Sequence, residues 1–232
     1  MSKNFQAGPQ GTRIKSDCQV FYKPGSDPLK MNIESKVDVL FSKTIRDLAE
    51  TTFASLGVTT GSVEIKDFGA LPFVMMAQIE TVVKRAHPEI DVEVLPDFKT
   101  HAQYETSFGR FRRSRLYLPG NQPKLFLNAG IHNPDCIILD LEDSVPPGEK
   151  DSARHIVRNA LRTLDFFGAE RMSGSTRVSW VCRIWSLLFP TMSTPFFYPK
   201  QKQLIRSSPW RPRFNPFLKK KSSRKISTTC PF

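Results

Sequence analysis

The chain has 232 residues, 39% of them hydrophobic, and 34 Lys+Arg against 22 Asp+Glu give a formal net charge of +12. That length suits one large domain or two small ones with real cores. No stretch reaches the roughly 20 apolar residues of a membrane span, and the N-terminal M-S-K-N-F-Q-A-G-P-Q-G lacks the apolar run of a secretory signal, so no membrane partner is expected.

Residues 1–12 read as a polar arm. Asp17 to Tyr22 is a strand candidate, and Lys23 to Pro28 (K-P-G-S-D-P) has turn chemistry. Leu29, Met31 and Ile33 alternate with polar residues, as in a second strand pairing with the first. Val37, Leu40, Phe41, Ile45, Leu48 and Phe53 recur at helical spacing and predict a helix over 37–55, ended by Gly57. Val63 to Ile65 is a strand, Asp67 to Gly69 a turn, and Ala70 to Met75 another strand. Met76 to Ala86 is an amphipathic helix stopped by Pro88. Residues 8–95 thus form an α+β module. A polar linker follows over 96–111, and Arg110, Arg112 and Arg113 make its end basic.

The grammar then changes. Arg115 to Leu118 is a short strand ending at Pro119-Gly120, and Gln122 to Gly130 can be a helix. Cys136 to Leu141 (C-I-I-L-D-L) is the near-continuous apolar run of a buried parallel strand. Lys150 to Leu164 is a helix with Ala153, Ile156, Val157, Ala160, Leu161 and Leu164 on one face. Strand, helix, strand, helix predicts α/β architecture with parallel pairing.

Asp140, Glu142 and Asp143 cluster where the second of these strands ends. Parallel α/β folds place their ligand sites there. Three acids at that point suit a pocket mouth or a metal; the competing reading is that they cap the next helix and face water. His87, His101, His132 and His155 lack metal-ligand spacing and read as surface or helix-cap residues. The cysteines, Cys18, Cys136, Cys182 and Cys230, show no metal or disulfide spacing, which suits a reducing compartment and a cytoplasmic protein.

Three motifs stand in order: R-R-S-R-L-Y-L-P-G-N (112–121), D-C-I-I-L-D-L-E-D-S-V (135–145) and E-K-D-S-A-R (149–154). Together they resemble the start of the citrate lyase beta subunit (citryl-thioester lyase) family. The resemblance implies a (β/α)8 barrel that uses Mg2+ in retro-aldol cleavage of citryl or malyl thioesters to an oxo-acid and an acetyl thioester. It makes Asp140, Glu142 and Asp143 pocket-mouth residues. It also implies a homo-oligomer or other lyase subunits as partners.

The first module is similar to the citrate lyase acyl carrier (gamma) subunit through G-T-R-I-K-S-D-C (11–18), I-E-S-K-V (33–37), L-G-V (56–58) and D-F-G-A-L (67–71). In that family G-T-x-E-S-[SG]-D precedes the first strand, and its first serine carries a phosphoribosyl-dephospho-CoA arm. Here that serine aligns with Lys15, Ile14 replaces the glutamate, and Ser16 comes one residue late. Lysine cannot form the phosphodiester. Either Ser16 takes the arm in a shifted register, or the module is a scaffold without one.

From Ser173 onward the composition breaks. Residues 173–232 hold 12 of the 34 basic residues, none of the 22 acidic ones, and all three tryptophans (Trp180, Trp185, Trp210), so the rest of the chain is neutral. The resembling family continues with a V-R-I-N strand carrying the substrate arginine and an I-E-[ST] strand carrying a Mg2+ ligand; neither follows Met172. Codons for Ser173 onward, read one base out of phase, can spell V-R-I-N-Q-G-F-L-G-L-P-D-L-E-S-I-V. Those for Pro190 to Arg206 can spell P-Y-N-V-H-T-V-L-L-P-K-A-E-T-A-D-Q-V. Residues 173–232 are therefore read as a frameshifted, disordered basic tail. The competing reading is a nucleic-acid-binding arm through Lys219-Lys220-Lys221, Arg224-Lys225 and the interleaved aromatics; nucleic acid is not the expected partner.

The expected whole is an acyl-carrier-like α+β module (8–95), a linker (96–111), a truncated (β/α)8-type fragment of two βα units (112–172) and the tail. A barrel needs eight strands and about 250 residues. This chain is therefore expected to lack the substrate arginine and metal ligands of a competent lyase, and to bind neither Mg2+ nor a coenzyme A-type thioester well.

Overall fold

The computed structural model describes residues 4–11, 14–107 and 109–174. The tail beyond Gly174, with its tryptophans and basic clusters, lies outside the described residues, as do the frameshift and nucleic-acid readings placed on it. No helix among the described residues is long and apolar enough to cross a membrane.

The first sheet has strands β1 (Phe5–Ala7), β2 (Cys18–Pro28), β3 (Lys30–Ser35) and β4 (Thr60–Asp67), in the spatial order β1-β2-β4-β3. The expected pairing of β3 with β2 does not form. β4 lies between them, antiparallel to β2 and parallel to β3, with Met31 opposite Val63 and Ile33 opposite Ile65. Helix α1 (Asp38–Ser55) explains this: it connects β3 to β4 as a crossover, and a helical crossover joins parallel strands. The K-P-G-S-D-P segment is not a turn either. It extends β2, with an irregular register between Lys23 and Pro28. Opposite it Gly61 has φ +108, and a Cβ there would lie 2.6 Å from the Lys23 carbonyl oxygen; only glycine tolerates both.

Helix α1 buries Ile45, Ala49 and Phe53 against this sheet. Its first turn departs from the expected apolar face: Leu40 and Phe41 are exposed beside Val39. Gly57 follows the helix with φ +74, in the left-handed role its sequence predicts.

The expected strand at Ala70–Met75 is instead the start of helix α2 (Pro72–Ala86), with Pro72 in its first turn. The reason is burial on two sides. Met75, Ile79, Val82 and Val83 pack into the first module's core, while Phe73, Val74 and Ala77 pack into the second. A helix buried all round shows an apolar run that periodicity cannot tell from a strand.

The second sheet is parallel throughout: β5 (Arg115–Pro119), β6 (Cys136–Asp140) and β7 (Glu170–Gly174), in that order. Between β5 and β6 the helix is shorter than expected, α3 (Pro123–Phe126) followed by a 3-10 turn at Gly130–His132. Helix α4 (Lys150–Thr163) covers the sheet with Ala153, Ile156, Val157, Ala160 and Leu161. β7 is a third strand beyond the expected two βα units, and it runs through the composition break at Ser173. The stretch read as a linker is tied down. Lys99 N–H donates to the Arg162 carbonyl (2.9 Å), the Arg171 guanidinium donates to the carbonyls of Ala102 (2.6 Å) and Tyr104 (2.8 Å), and Tyr104 Oη donates to the Ala169 carbonyl (2.7 Å).

Helices α2 and α4 join the two halves through charges. Glu80 has no exposed surface. Arg158 donates to both its oxygens (Nη1–Oε1 3.1 Å, Nη2–Oε2 2.5 Å), Lys84 donates at 2.7 Å, and Arg158 also reaches Glu93 Oε2 at 3.1 Å. Burial alone pushes Glu80 up, but the Arg158 and Lys84 bonds outweigh it and hold the carboxyl at about 2 rather than 4.5. His155 is not the surface or cap residue expected. It sits in this interface with Nδ1 2.9 Å from Thr81 Oγ1, and burial pushes its imidazole down to about 4, against the pull of Glu80. Alongside, Arg85 forms a two-pronged pair with Asp151 (2.7 and 2.6 Å), and Asn159 Nδ2 donates to the Phe73 carbonyl (3.0 Å).

Arg158→Met removes the guanidinium from the buried Glu80 charge, leaving Lys84 and the Val94 N–H (3.3 Å) as its donors, and is expected to cost about 3–5 kcal/mol. Guanidinium unfolding followed by circular dichroism checks this. The paired change Glu80→Leu with Arg158→Met is expected to recover most of the loss.

Candidate functional site at the strand ends

The three parallel strands end side by side. The Gly120 N–H donates to the Asp140 carbonyl (2.7 Å), and the Leu141 N–H to the Gly174 carbonyl (2.8 Å). Gly120 must be glycine here, since a Cβ would fall 2.7 Å from the Asp140 oxygen. Asp140 is buried, and its carboxylate accepts the N–H groups of Glu142 (3.1 Å) and Ser144 (3.4 Å). It shapes the loop after β6 from within. Glu142 is half-buried, with Oε2 buried and unpartnered; Asp143 is exposed. The three acids thus share a loop without converging.

The donor set gives Mg2+ little to hold. Among the described residues no three His, Cys, Asp or Glu side chains gather as a cation site, and a hard divalent ion takes several converging oxygens. The cysteines Cys18 and Cys136 are buried free thiols whose pKa burial raises, so neither is poised as a nucleophile.

What the strand ends do form is a cleft against the carrier-like module. It measures about 470 Å³ and is lined from one side by Pro9, Gly11, Ile14, Lys15 and Asp17, and from the other by Asn121, Gln122, Lys124 and Glu149. Its polar lining is specific. Asn121 Nδ2 donates to Glu149 Oε2 (2.6 Å), which leaves Asn121 Oδ1 buried without a partner. Asp17 is buried and accepts, on one oxygen, the Cys18 N–H (2.7 Å) and Gln78 Nε2 (3.0 Å); Gln78 Oε1 in turn accepts from Ser152 Oγ (2.7 Å). Burial pushes Asp17 up to about 7, its two hydrogen bonds oppose this, and the charge of Glu149 adds to it.

Lys15 is exposed on the cleft wall. Ser16 is half-buried with φ 56, its N–H bonded to the Phe68 carbonyl (3.1 Å), and it does not line the cleft. Asn121 and Glu149 lie inside motifs the sequence displays, L-P-G-N and E-K-D-S-A-R. Asp17 is the acid immediately before β2. Nothing local marks the three as neighbours, because they meet only through the packing of α2 on α4.

The described residues therefore form a carrier-type α+β module fixed onto a three-stranded parallel sheet. The Malonate decarboxylase delta subunit family of acyl carrier proteins matches residues 6–86, and the HpcH/HpaI aldolase/citrate lyase family matches residues 113–183, past the composition break. The citrate lyase acyl carrier protein of Albidiferax ferrireducens is 37% identical over 84 residues, 36% of this chain and 86% of that protein. The citrate lyase subunit beta of Leuconostoc mesenteroides is 48% identical over 61 residues, 26% of this chain and 20% of that protein. The L-malyl-CoA/beta-methylmalyl-CoA lyase of Cereibacter sphaeroides is 34% identical over 99 residues, 43% of this chain and 27% of that protein. The chain belongs to the citrate lyase acyl carrier protein family through its first module, and continues into a segment similar to the aldolase/citrate lyase family. It spans about a fifth of the length of the beta subunits it matches.

Asp17 gives the cleft a pH signature. Its folded pKa, about 7, lies above the ordinary 3.8. Stability from this group is therefore full below pH 3.8 and falls as pH rises to 7, by on the order of 4 kcal/mol at most. His155 acts oppositely, adding stability as pH rises from about 4 to 6.5. Asp17→Asn keeps the accepting oxygen and removes the charge. The variant is expected to be more stable than the parent at pH 8, with the gap closing by pH 4, in denaturant midpoints measured across that range.

Proposed function

We propose that this chain is a carrier-and-lyase fusion of the citrate lyase type. In the intact architecture, the carrier-like module fixes a thioester at the strand ends for retro-aldol cleavage of a citryl or malyl thioester. In that reaction the hydroxyl loses its proton and becomes the oxo-acid carbonyl. The carbon–carbon bond breaks, and its electron pair passes to the acetyl thioester as an enolate. The packing of α2 on α4 supports this reading most, because it sets the carrier loop at Lys15–Asp17 across a cleft from Asn121 and Glu149. The reaction needs a base at the hydroxyl and cationic stabilisation of the enolate. Asp140, committed to its own loop, and the unpaired Glu142 supply neither as a converging set. We therefore assign this chain no lyase turnover of its own. Purified chain with Mg2+ is expected to leave citryl-CoA and malyl-CoA uncleaved in a coupled oxo-acid assay. Cleavage that Asp140→Ala abolishes would overturn this.

A scaffold reading of the first module has its own support. The buried Glu80–Arg158 network fixes the module in place, and the cleft wall presents Lys15 where the family presents an arm-bearing serine. The intact mass of the chain, expressed in a host that makes the prosthetic group, is expected to be that of the bare polypeptide. An added phosphoribosyl-dephospho-CoA mass, lost in Ser16→Ala, would show that Ser16 carries the arm.

A further inference from the structure

The sheet of the first module ends in an edge left open among the described residues. β3 is its outermost strand: β4 pairs one side of it, and no described strand pairs the other. Edge strands are usually guarded by prolines, bulges or inward charges. β3 (K-M-N-I-E-S) has no proline, keeps an unbroken register with β4 and turns no charge toward the core. The core itself opens on this side. Val63 and Ile65 on β4 are 3% and 0% exposed, whereas Met31 and Ile33, opposite them on β3, are only half-buried. The first turn of α1, which follows β3, continues this apolar strip with the exposed Val39, Leu40 and Phe41. The charges on the other face of β3 say what fits the edge. Lys30, Asn32 and Glu34 alternate with the apolar residues and are exposed. A second copy of β3, laid antiparallel about a two-fold axis at Asn32, sets Lys30 opposite Glu34 at both ends and Met31 opposite Ile33 between them. Neighbouring registers that keep the apolar faces aligned lose this match. Moved by two residues one way, Lys30 faces Lys36; moved the other way, Glu34 faces Pro28 and Lys30 faces Asn32. Glu34 already stands opposite Lys66 on β4, whose ammonium pairs with Glu64 (3.1 Å), so the added Lys30 extends a ladder of alternating sign.

We propose that β3 is a self-complementary docking edge, through which two copies of this chain join as an antiparallel β3–β3 pair centred on Asn32. The two sheets become one continuous sheet, and the backbone N–H and C=O groups along the open edge gain partners. The strip of Met31, Ile33 and the first turn of α1 adds apolar area to the backbone ladder. The interface is isologous, so each Lys30–Glu34 contact occurs twice. It uses the first module alone. Neither the strand-end cleft nor any turnover enters it, so it is tested apart from the carrier-and-lyase reading.

Sedimentation equilibrium of the full chain tests this. The parent is expected to show a monomer–dimer equilibrium. Lys30→Glu and Glu34→Lys each change one exposed side chain, and each is expected to keep the parent's far-ultraviolet circular dichroism. Each is also expected to weaken the dimer by at least about tenfold, because both symmetric contacts turn repulsive. An equimolar mixture of the two variants puts opposite charges back at both contacts. It is expected to form a heterodimer within about threefold of the parent's affinity. Three results would overturn the proposal: a chain monomeric at every concentration, whether the edge is bare or met by residues 175–232; a dimer indifferent to both substitutions; or a mixture that associates no more tightly than its components.

Discussion

Glu80 carries a charge that α2 cannot satisfy from within its own module. Lys84, one turn away, and the Val94 N–H each bond one oxygen; Arg158 from α4, across the interface, bonds both. A carboxylate and a guanidinium taken out of water are tolerable only together. Two segments with separate sheets are thereby held in one arrangement. The apolar contacts of Phe73, Val74 and Ala77 with the second core supply area without direction. The ion pair, with Asn159 on the Phe73 carbonyl and Arg85 on Asp151, fixes the register of α2 along α4.

The cleft follows from that register. Gln78, two residues before Glu80, bridges Asp17 on the carrier side to Ser152 on α4. Glu149, at the start of α4, is placed to hold Asn121 and to raise the pKa of Asp17 through its charge. A slip of α2 by one turn would separate these groups. The same fixity bears on what the carrier-like module does. A module that presents a swinging arm can work from a loose tether, whereas one held through a buried charge network acts as a wall.

The matches divide the chain where the two sheets divide it. The carrier-type relatives are covered over 76–86% of their length, and the beta subunits over about a fifth of theirs. The segment similar to the lyases includes β5, β6 and β7 with α4 on one face, and it packs through that helix onto α2. The relatives are named as separate proteins, a carrier and a beta subunit; here both sequences lie on one chain.

Elements with a one-sided environment were legible in the sequence. α4 shows its stripe from Ala153 to Leu161, β6 its apolar run, and the start of β2 its alternation, because each meets one core in a regular way. The motifs L-P-G-N, D-L-E-D and E-K-D-S-A-R, with the lyase family they resemble, and G-T-R-I-K-S-D-C and D-F-G-A-L, with the carrier family they resemble, were also legible. Tertiary structure alone decided the rest. It put β4 between β2 and β3, since strand order depends on a crossover and not on local pattern. It made α2 a helix through a run that reads as a strand, because two cores bury it from both sides. It pinned the stretch after Pro96 through carbonyls that no periodicity displays. It left Asp140, Glu142 and Asp143 in one loop without convergence, and brought Asp17, Asn121 and Glu149 to one cleft. Residues far apart in the chain become neighbours through packing energies summed over both modules, and a local window of sequence contains none of that sum.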